Sequence, residues 1–173
     1  MIIAISGTPG VGKSKVAELL ARKLGYRVIE VNRLLGIPHG KEVEVSISKL
    51  EKTVEHNLSD NVVIVSHLAH FLHDKRIKYF FVLRCEPPVL IKRLRRRGYN
   101  NLKVYDNVMF EAIDGTYLEA SKLHRNIIHI DNTKNIDETV NAILFLIKKG
   151  KVPTQFSGDY SKYIISLERA LKR

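Results

Sequence analysis

Eight consecutive residues, Gly7-Thr8-Pro9-Gly10-Val11-Gly12-Lys13-Ser14, hold the densest chemistry in this chain. They fit the pattern G-x-x-x-x-G-K-[ST] and follow an apolar run, Ile2-Ile3-Ala4-Ile5, that reads as a strand. Glycines let a backbone turn tightly enough for successive N–H groups to converge on phosphate oxygens at the positive end of a helix that starts there. Gly7, Gly10 and Gly12 would form the cradle, with Lys15 just beyond it. Lys13 would bring a mobile charge to the outer phosphates, and the Ser14 hydroxyl would ligate a Mg²⁺ bridging them. A Gly/Pro turn without a ligand is the plain alternative; the flanking strand and helix weigh against it.

A second cluster is Arg93-Leu94-Arg95-Arg96-Arg97-Gly98-Tyr99-Asn100. On a helix, Arg93 and Arg97 share one face just before a glycine, and two guanidinium groups so placed form a fork suited to a triphosphate. A solvated basic face, or an RNA contact with Tyr99 stacking on a base, fits the same run. The third cluster, Ser66-His67-Leu68-Ala69-His70-Phe71-Leu72-His73, closes an apolar strand where phosphate-loop enzymes usually carry an acid that organises the metal's water shell. None stands here. His67 is a candidate for a hydrogen bond to water or to the γ-phosphate, with a structural role equally open, and the spacing of His67, His70 and His73 gives weaker grounds for a metal site.

Strands are predicted at 2–6, 27–31, 61–65, 78–83 and 126–130, from short runs of Ile, Val and aromatics. Helices are predicted at 14–24, 88–97, 111–123 and 136–149; Gly25 and Gly98 stop the first two, and proline opens the second. Strands alternating with helices imply a parallel sheet covered on both faces, a three-layer α/β fold binding ligands at the carboxyl ends of its strands. Past Lys149, Pro153 and Gly158 break the chain before Tyr163, Ile164, Leu167, Ala170 and Leu171 line one face of a terminal helix. That face could dock on the chain's own core or on a partner.

A chain of 173 residues, 45% hydrophobic, is long enough for one core and too short for two ordinary domains. Its longest apolar run near the end, Ala142–Ile147, is far below membrane-spanning length, so no membrane partner is expected. With Met1 leading straight into the first strand, no signal peptide is expected. The single Cys85 rules out an internal disulfide, which suits a cytoplasmic protein. A net charge of +11 favours phosphate-rich partners without choosing among nucleotides, RNA and acidic protein surfaces.

Up to about Lys149 the chain resembles adenylate kinase isoenzyme 6 and its archaeal relatives. The resemblance rests on residues 7–14, on Ser66-His67, on Phe81-Val82-Leu83-Arg84, and on Arg93 to Asn100 followed by Lys103, Asp106-Asn107 and Glu111. It implies a nucleoside monophosphate kinase-like phosphate-loop fold over residues 1–149. The monophosphate region would lie at about 30–53 and a short lid at about 96–106, with Arg97 on the ATP phosphates; residues 150–173 would form a tail. It further implies ATP and Mg²⁺ as cofactors, and a nucleoside monophosphate, AMP first, as acceptor. Transient partners would be a small-subunit platform ribosomal protein and rRNA, during ribosome maturation. Two departures stand out. Val65 occupies a position where the family often has an acid, and Glu30-Val31-Asn32-Arg33 opens the monophosphate region differently from the usual pattern. Two functions remain open: phosphoryl transfer from ATP to a monophosphate or to water, and an ATP-gated assembly or RNA-binding factor whose nucleotide site serves only as a switch.

Overall fold

A strand buried on both faces must be apolar at every position, and Ile2-Ile3-Ala4-Ile5 meets that demand at the centre of a parallel sheet. The computed structural model describes residues 1–37, 45–72, 74–150 and 159–171. Among them, five strands lie in the order β2 (Arg27–Glu30), β3 (Val62–Val65), β1 (Ile2–Ser6), β4 (Ile77–Arg84), β5 (Ile127–Asp131), all neighbours parallel. Alternation sorts the side chains. Ile3, Ile5, Val63, Val65, Phe81 and Leu83 join the larger core beneath α1 (Lys13–Leu24), α4 (Pro87–Arg96), α5 (Asn101–Ala112) and α7 (Ile136–Lys149). Ile2, Val62 and Ile64 face α2 (Val31–Leu34) and α3 (Ile47–Asn57), and Ala4, Phe80 and Val82 face α6 (Gly115–Ala120). The three-layer α/β arrangement is thus the expected one. The chain turns to opposite sides of β1 at its carboxyl end, the place in such sheets where ligands bind.

Several boundaries differ from expectation. Val31 starts α2 rather than ending β2. The predicted helix 111–123 is two pieces: Glu111 lies in the last turn of α5, and α6 begins at Gly115. The break sits at Asp114, which adopts a left-handed conformation (φ 58°) with its carboxylate paired to Arg84. Helices α3 and α5 lie outside the predicted set, yet each carries a start signal. Ser46 and Asn100 accept hydrogen bonds from the amides of Lys49 (3.3 Å) and Lys103 (2.8 Å), the N-cap pattern. The proposed lid, 96–106, spans the end of α4, the turn at Gly98 and the first half of α5. The proposed monophosphate region includes α2 and part of α3, and its residues 38–44 lie outside the described ones.

Beyond α7, a turn at Ser161–Tyr163 leads into α8 (Ile164–Leu171), which packs against α5. Tyr160 and Leu167 are buried in the larger core, with Tyr163 and Ile164 packed against it. The described part of the amphipathic face, Tyr163, Ile164 and Leu167, therefore docks on its own chain; the side chains of Ala170 and Leu171 lie outside the described ones. Truncating a buried leucine removes transfer free energy and leaves a cavity, so Leu167→Ala should lower unfolding stability by about 2–5 kcal/mol. A urea titration measures it; an unshifted midpoint would mean that α8 adds nothing to the core.

Candidate phosphate-binding site

The loop between β1 and α1 can exist only with glycine at critical points. Gly7 has φ 142°, and a Cβ there would lie 2.6 Å from the Leu83 carbonyl oxygen of β4. Gly12 has φ 101°, and a side chain would collide with the Asn132 amide just past β5. Both positions therefore combine a left-handed backbone with close approach to a neighbour, which excludes other residues. Gly10 packs on Leu90 and Leu94 of α4. Gly12 caps α1 without a side-chain bond, and no acidic residue occupies the first turn. The first amides of α1 thus lack a side-chain acceptor at the helix's positive end.

Lys13 folds back on this loop. Its Nζ donates to the carbonyls of Gly7 (2.6 Å) and Thr8 (2.9 Å), while Ser14 and Lys15 are exposed at the start of α1. Burial pushes the Lys13 ammonium down to about 7; the Glu111 carboxylate opposes this and the Arg97 guanidinium adds to it. A charge so placed is poised for an anion.

The predicted arginine pair occupies two different environments. Arg93 is half-buried, and its guanidinium donates to the carbonyls of Asn132 (3.0 Å), Thr133 (2.9 Å) and Val11 (3.3 Å), with the Cys85 sulfur at 3.3 Å. It stitches α4 to the loop and to the end of β5. Arg97 is exposed at the C-cap of α4, close enough to bear electrostatically on Lys13. Asn132 supports Arg93 in this stitching, donating to the Val11 carbonyl (2.7 Å) and accepting from Thr139 (2.8 Å).

His67 sits half-buried in the turn after β3, where the Ser66 hydroxyl accepts from the Leu68 amide at 3.0 Å. His70 is engaged on both sides: Nδ1 lies 3.0 Å from the Ser6 hydroxyl, and Nε2 lies 2.8 Å from Glu119. Burial lowers its pKa, with Glu119 opposing. His73 lies outside the described residues, among which no group of three His, Cys, Asp or Glu could hold a metal. Burial raises the Cys85 thiol to about 12, so it is unreactive near neutrality.

Sequence reasoning did not single out as site residues the groups beneath the loop. The Thr8 hydroxyl donates to Glu111 Oε2. Glu111 Oε1 accepts from Arg84 Nε (2.8 Å) and the Cys85 amide (3.0 Å), and Arg84 also donates to the Glu111 carbonyl (2.8 Å). Arg84 and Glu111 are each 2% exposed. Asp114 pairs with Arg84 and approaches His129 (3.3 Å), and Tyr160 lays its ring 4.9 Å from the guanidinium carbon. Burial, aided by Arg84, holds His129 down to about 4, so it is neutral here. The usable signal was Arg84 itself, a charge ending an apolar strand and therefore in need of buried carboxylates.

The low Lys13 value makes a test possible without any ligand. At low pH the folded and unfolded chains both carry the charge, and the cost of burying it is fully present. As pH rises from about 7 toward the ordinary 10.5, the folded lysine is neutral while the unfolded one keeps its proton, so folding stability rises across that window. Lys13→Met should therefore raise the melting temperature at pH 7 and flatten its increase between pH 7 and 10. An unaltered slope would mean that the ammonium is solvated.

A family model described as an AAA domain matches residues 3–114. The "Putative adenylate kinase" of Thermococcus gammatolerans is 41% identical over 157 residues, covering 87% of this chain and 87% of the relative. Its namesake in Pyrococcus abyssi is 42% identical over 157 residues, covering 87% and 86%. Among solved structures, shikimate kinase from Bacteroides thetaiotaomicron superposes with a TM-score of 0.58 at 20% identity, over 86% of this chain and 98% of that one. At that identity the likeness speaks for the fold, a phosphate-loop fold of the nucleoside monophosphate kinase kind. The chain belongs to the AAA-domain family whose model it matches and to the adenylate kinase-like family of these archaeal proteins.

Proposed function

We propose that this protein moves the γ-phosphoryl group of ATP to a nucleoside monophosphate, with AMP the first acceptor to test and water a second. The carrying observation is the loop: two glycines that admit no side chain, helix amides without a side-chain cap, and a lysine ammonium folded back onto the loop's own carbonyls. The name that these archaeal relatives carry, "Putative adenylate kinase", supports the choice of substrate. The residues present fit a phosphate–metal complex, since the exposed Ser14 hydroxyl at the start of α1 could join a Mg²⁺ held mainly by phosphate oxygens and water. That ion would offset charge on the phosphates. Lys13 would exchange the Gly7 and Thr8 carbonyls for phosphate oxygens, and Arg97 would close over them from the turn that follows α4. Gly7, Gly10, Gly12 and Lys15 would frame the phosphates. Arg93 would keep the frame rigid from behind. An oxygen of the acceptor monophosphate bonds to the γ-phosphorus as the bond to the β,γ-bridging oxygen breaks, leaving a diphosphate on each side.

Val65 and the half-buried His67 at the end of β3 favour a second reading, in which transfer to water releases a bound partner and monophosphate transfer is incidental. His67 would position the water. On the resemblance to isoenzyme 6, the partner is a small-subunit platform ribosomal protein with adjoining rRNA, and the net charge of +11 suits the RNA. Incubating the purified protein with Mg·ATP, with and without AMP, and assaying ADP and inorganic phosphate separates the two acceptors. The kinase reading requires ADP formation that depends on AMP.

Two substitutions follow. Lys13→Ala should cut turnover roughly a hundredfold or more, the usual cost of losing a positioned charge, while circular dichroism stays native. Arg97→Ala should weaken ATP binding or turnover more than Arg95→Ala does, because Arg97 bears on Lys13. Equal effects of the two, joined to a shared loss of RNA binding, would instead mark the run as a basic patch.

A further inference from the structure

Glu111 is a buried carboxylate whose two oxygens serve different masters. Oε1 takes Arg84 and the Cys85 amide, which fixes the end of β4. Oε2 takes the Thr8 hydroxyl, the first side chain after Gly7 in the phosphate loop. Holding Arg84 does not require that second oxygen, because Asp114 already supplies another carboxylate to the same guanidinium. Three donors leave the carboxylate poorly placed to ligate a metal, so its part in the site is indirect.

Its place in the chain gives that part a direction. Helix α5 begins at Asn101, directly after the turn that carries Arg97, and Glu111 lies in its last turn, about 15 Å further along at 1.5 Å per residue. Val104, Val108 and Ala112 are buried in the core, so this helix is a firmly packed element that links its two ends. One end borders the residues proposed to close over ATP. The other end holds Thr8, whose carbonyl is at the same time an acceptor for Lys13.

We propose that Glu111 is a positioning residue for nucleotide binding, tying the phosphate loop through the Thr8 hydroxyl to α5 and so to the turn that bears Arg97. When Lys13 leaves the Gly7 and Thr8 carbonyls for a phosphate, the Thr8 carbonyl keeps only the Val11 amide (3.3 Å), and Glu111 holds the loop in shape through the Thr8 hydroxyl. The carboxylate's charge also opposes the loss of the Lys13 proton in this buried place. The inference rests on reading the loop as an ATP site and is indifferent to which acceptor takes the phosphoryl group.

The test uses the full chain, titrated calorimetrically with Mg·ATP, and its melting temperature without nucleotide. Thr8→Val removes only the hydroxyl and leaves Glu111 its contacts with Arg84 and Cys85. It should weaken ATP binding about tenfold, the size expected for one charge-assisted hydrogen bond, and Thr8→Ser should recover much of that affinity. Glu111→Gln should weaken binding at least as much. The double variant should then bind ATP no more weakly than Glu111→Gln alone, since both changes cut one link. If Thr8→Val binds ATP as tightly as the native protein, or if the two losses multiply, the proposal is overturned and Glu111 serves stability alone. Should Glu111→Gln fail to fold, the contrast between Thr8→Val and Thr8→Ser decides. A native protein that binds Mg·ATP but makes no ADP from AMP ends the kinase reading and leaves this inference to the variants. One that binds no ATP ends both.

Discussion

A guanidinium buried at the end of an internal strand sets most of the architecture around this site. Arg84 closes β4 almost without solvent contact. Stranding such a charge by removing its partner costs about 3–5 kcal/mol, so the rest of the chain has to bring partners to it. Helix α5 delivers Glu111 and its carbonyl, the chain leaves the helix at Asp114 to present a second carboxylate, and the segment before α8 lays Tyr160 over the guanidinium. The break between α5 and α6 and the left-handed backbone at Asp114 serve one desolvated cation, and Tyr160 joins it from the C-terminal segment that docks through Leu167. The phosphate loop is attached to the same cluster through Thr8.

Above that cluster the protein keeps positive charge in a place that folding alone would avoid. Lys13 is drawn onto carbonyl oxygens while burial and the nearby Arg97 work against its charge. An anion bound at the loop would relieve both effects at once. A site held in this way lowers the stability of the empty protein and returns it on binding, the usual relation between function and stability where charges are preorganised. The excess of +11 over the whole chain acts in the same direction at longer range, raising the local concentration of anions before contact.

What could be read from the sequence follows the distance over which each feature is encoded. The loop is contiguous, and its chemistry is written in eight adjacent residues. The parallel three-layer fold follows from apolar runs alternating with helical periods, and α7 falls on its predicted bounds, 136–149. The partnership of Arg84 with Glu111 joins residues 27 apart, and no local pattern announces it. Arg93 shows the limit of periodicity: the spacing places it a turn before Arg97, but only the folded chain reveals the four acceptors around it, on loop, strand end and sulfur. The region 111–123 reads as one helix from its Glu, Ala, Leu and Lys residues, yet Asp114-Gly115 inside it is a weak point for a helix, and the ion pair of Asp114 with Arg84 fixes the break there.

The end of β3 carries the remaining step. Val65 is buried in the larger core, Ser66 turns its hydroxyl to the Leu68 amide, and Glu111, the one buried carboxylate among the described residues, has its oxygens occupied beneath the loop. Under the proposed function, no acid from β3 would help to arrange a metal's water shell. Neutralising the transferring phosphoryl group would then fall more heavily on Lys13, on Arg97 and on the ion itself. Of these protein groups only Arg97 stands on an exposed turn and has to be brought in. On that reading, chemistry that depends on Arg97 would advance only when the turn closes, and nucleotide state and conformation would be linked whether the phosphoryl group went to a monophosphate or to water. Helix α5, running from that turn to the floor of the loop, is the element through which closure would be felt at Thr8.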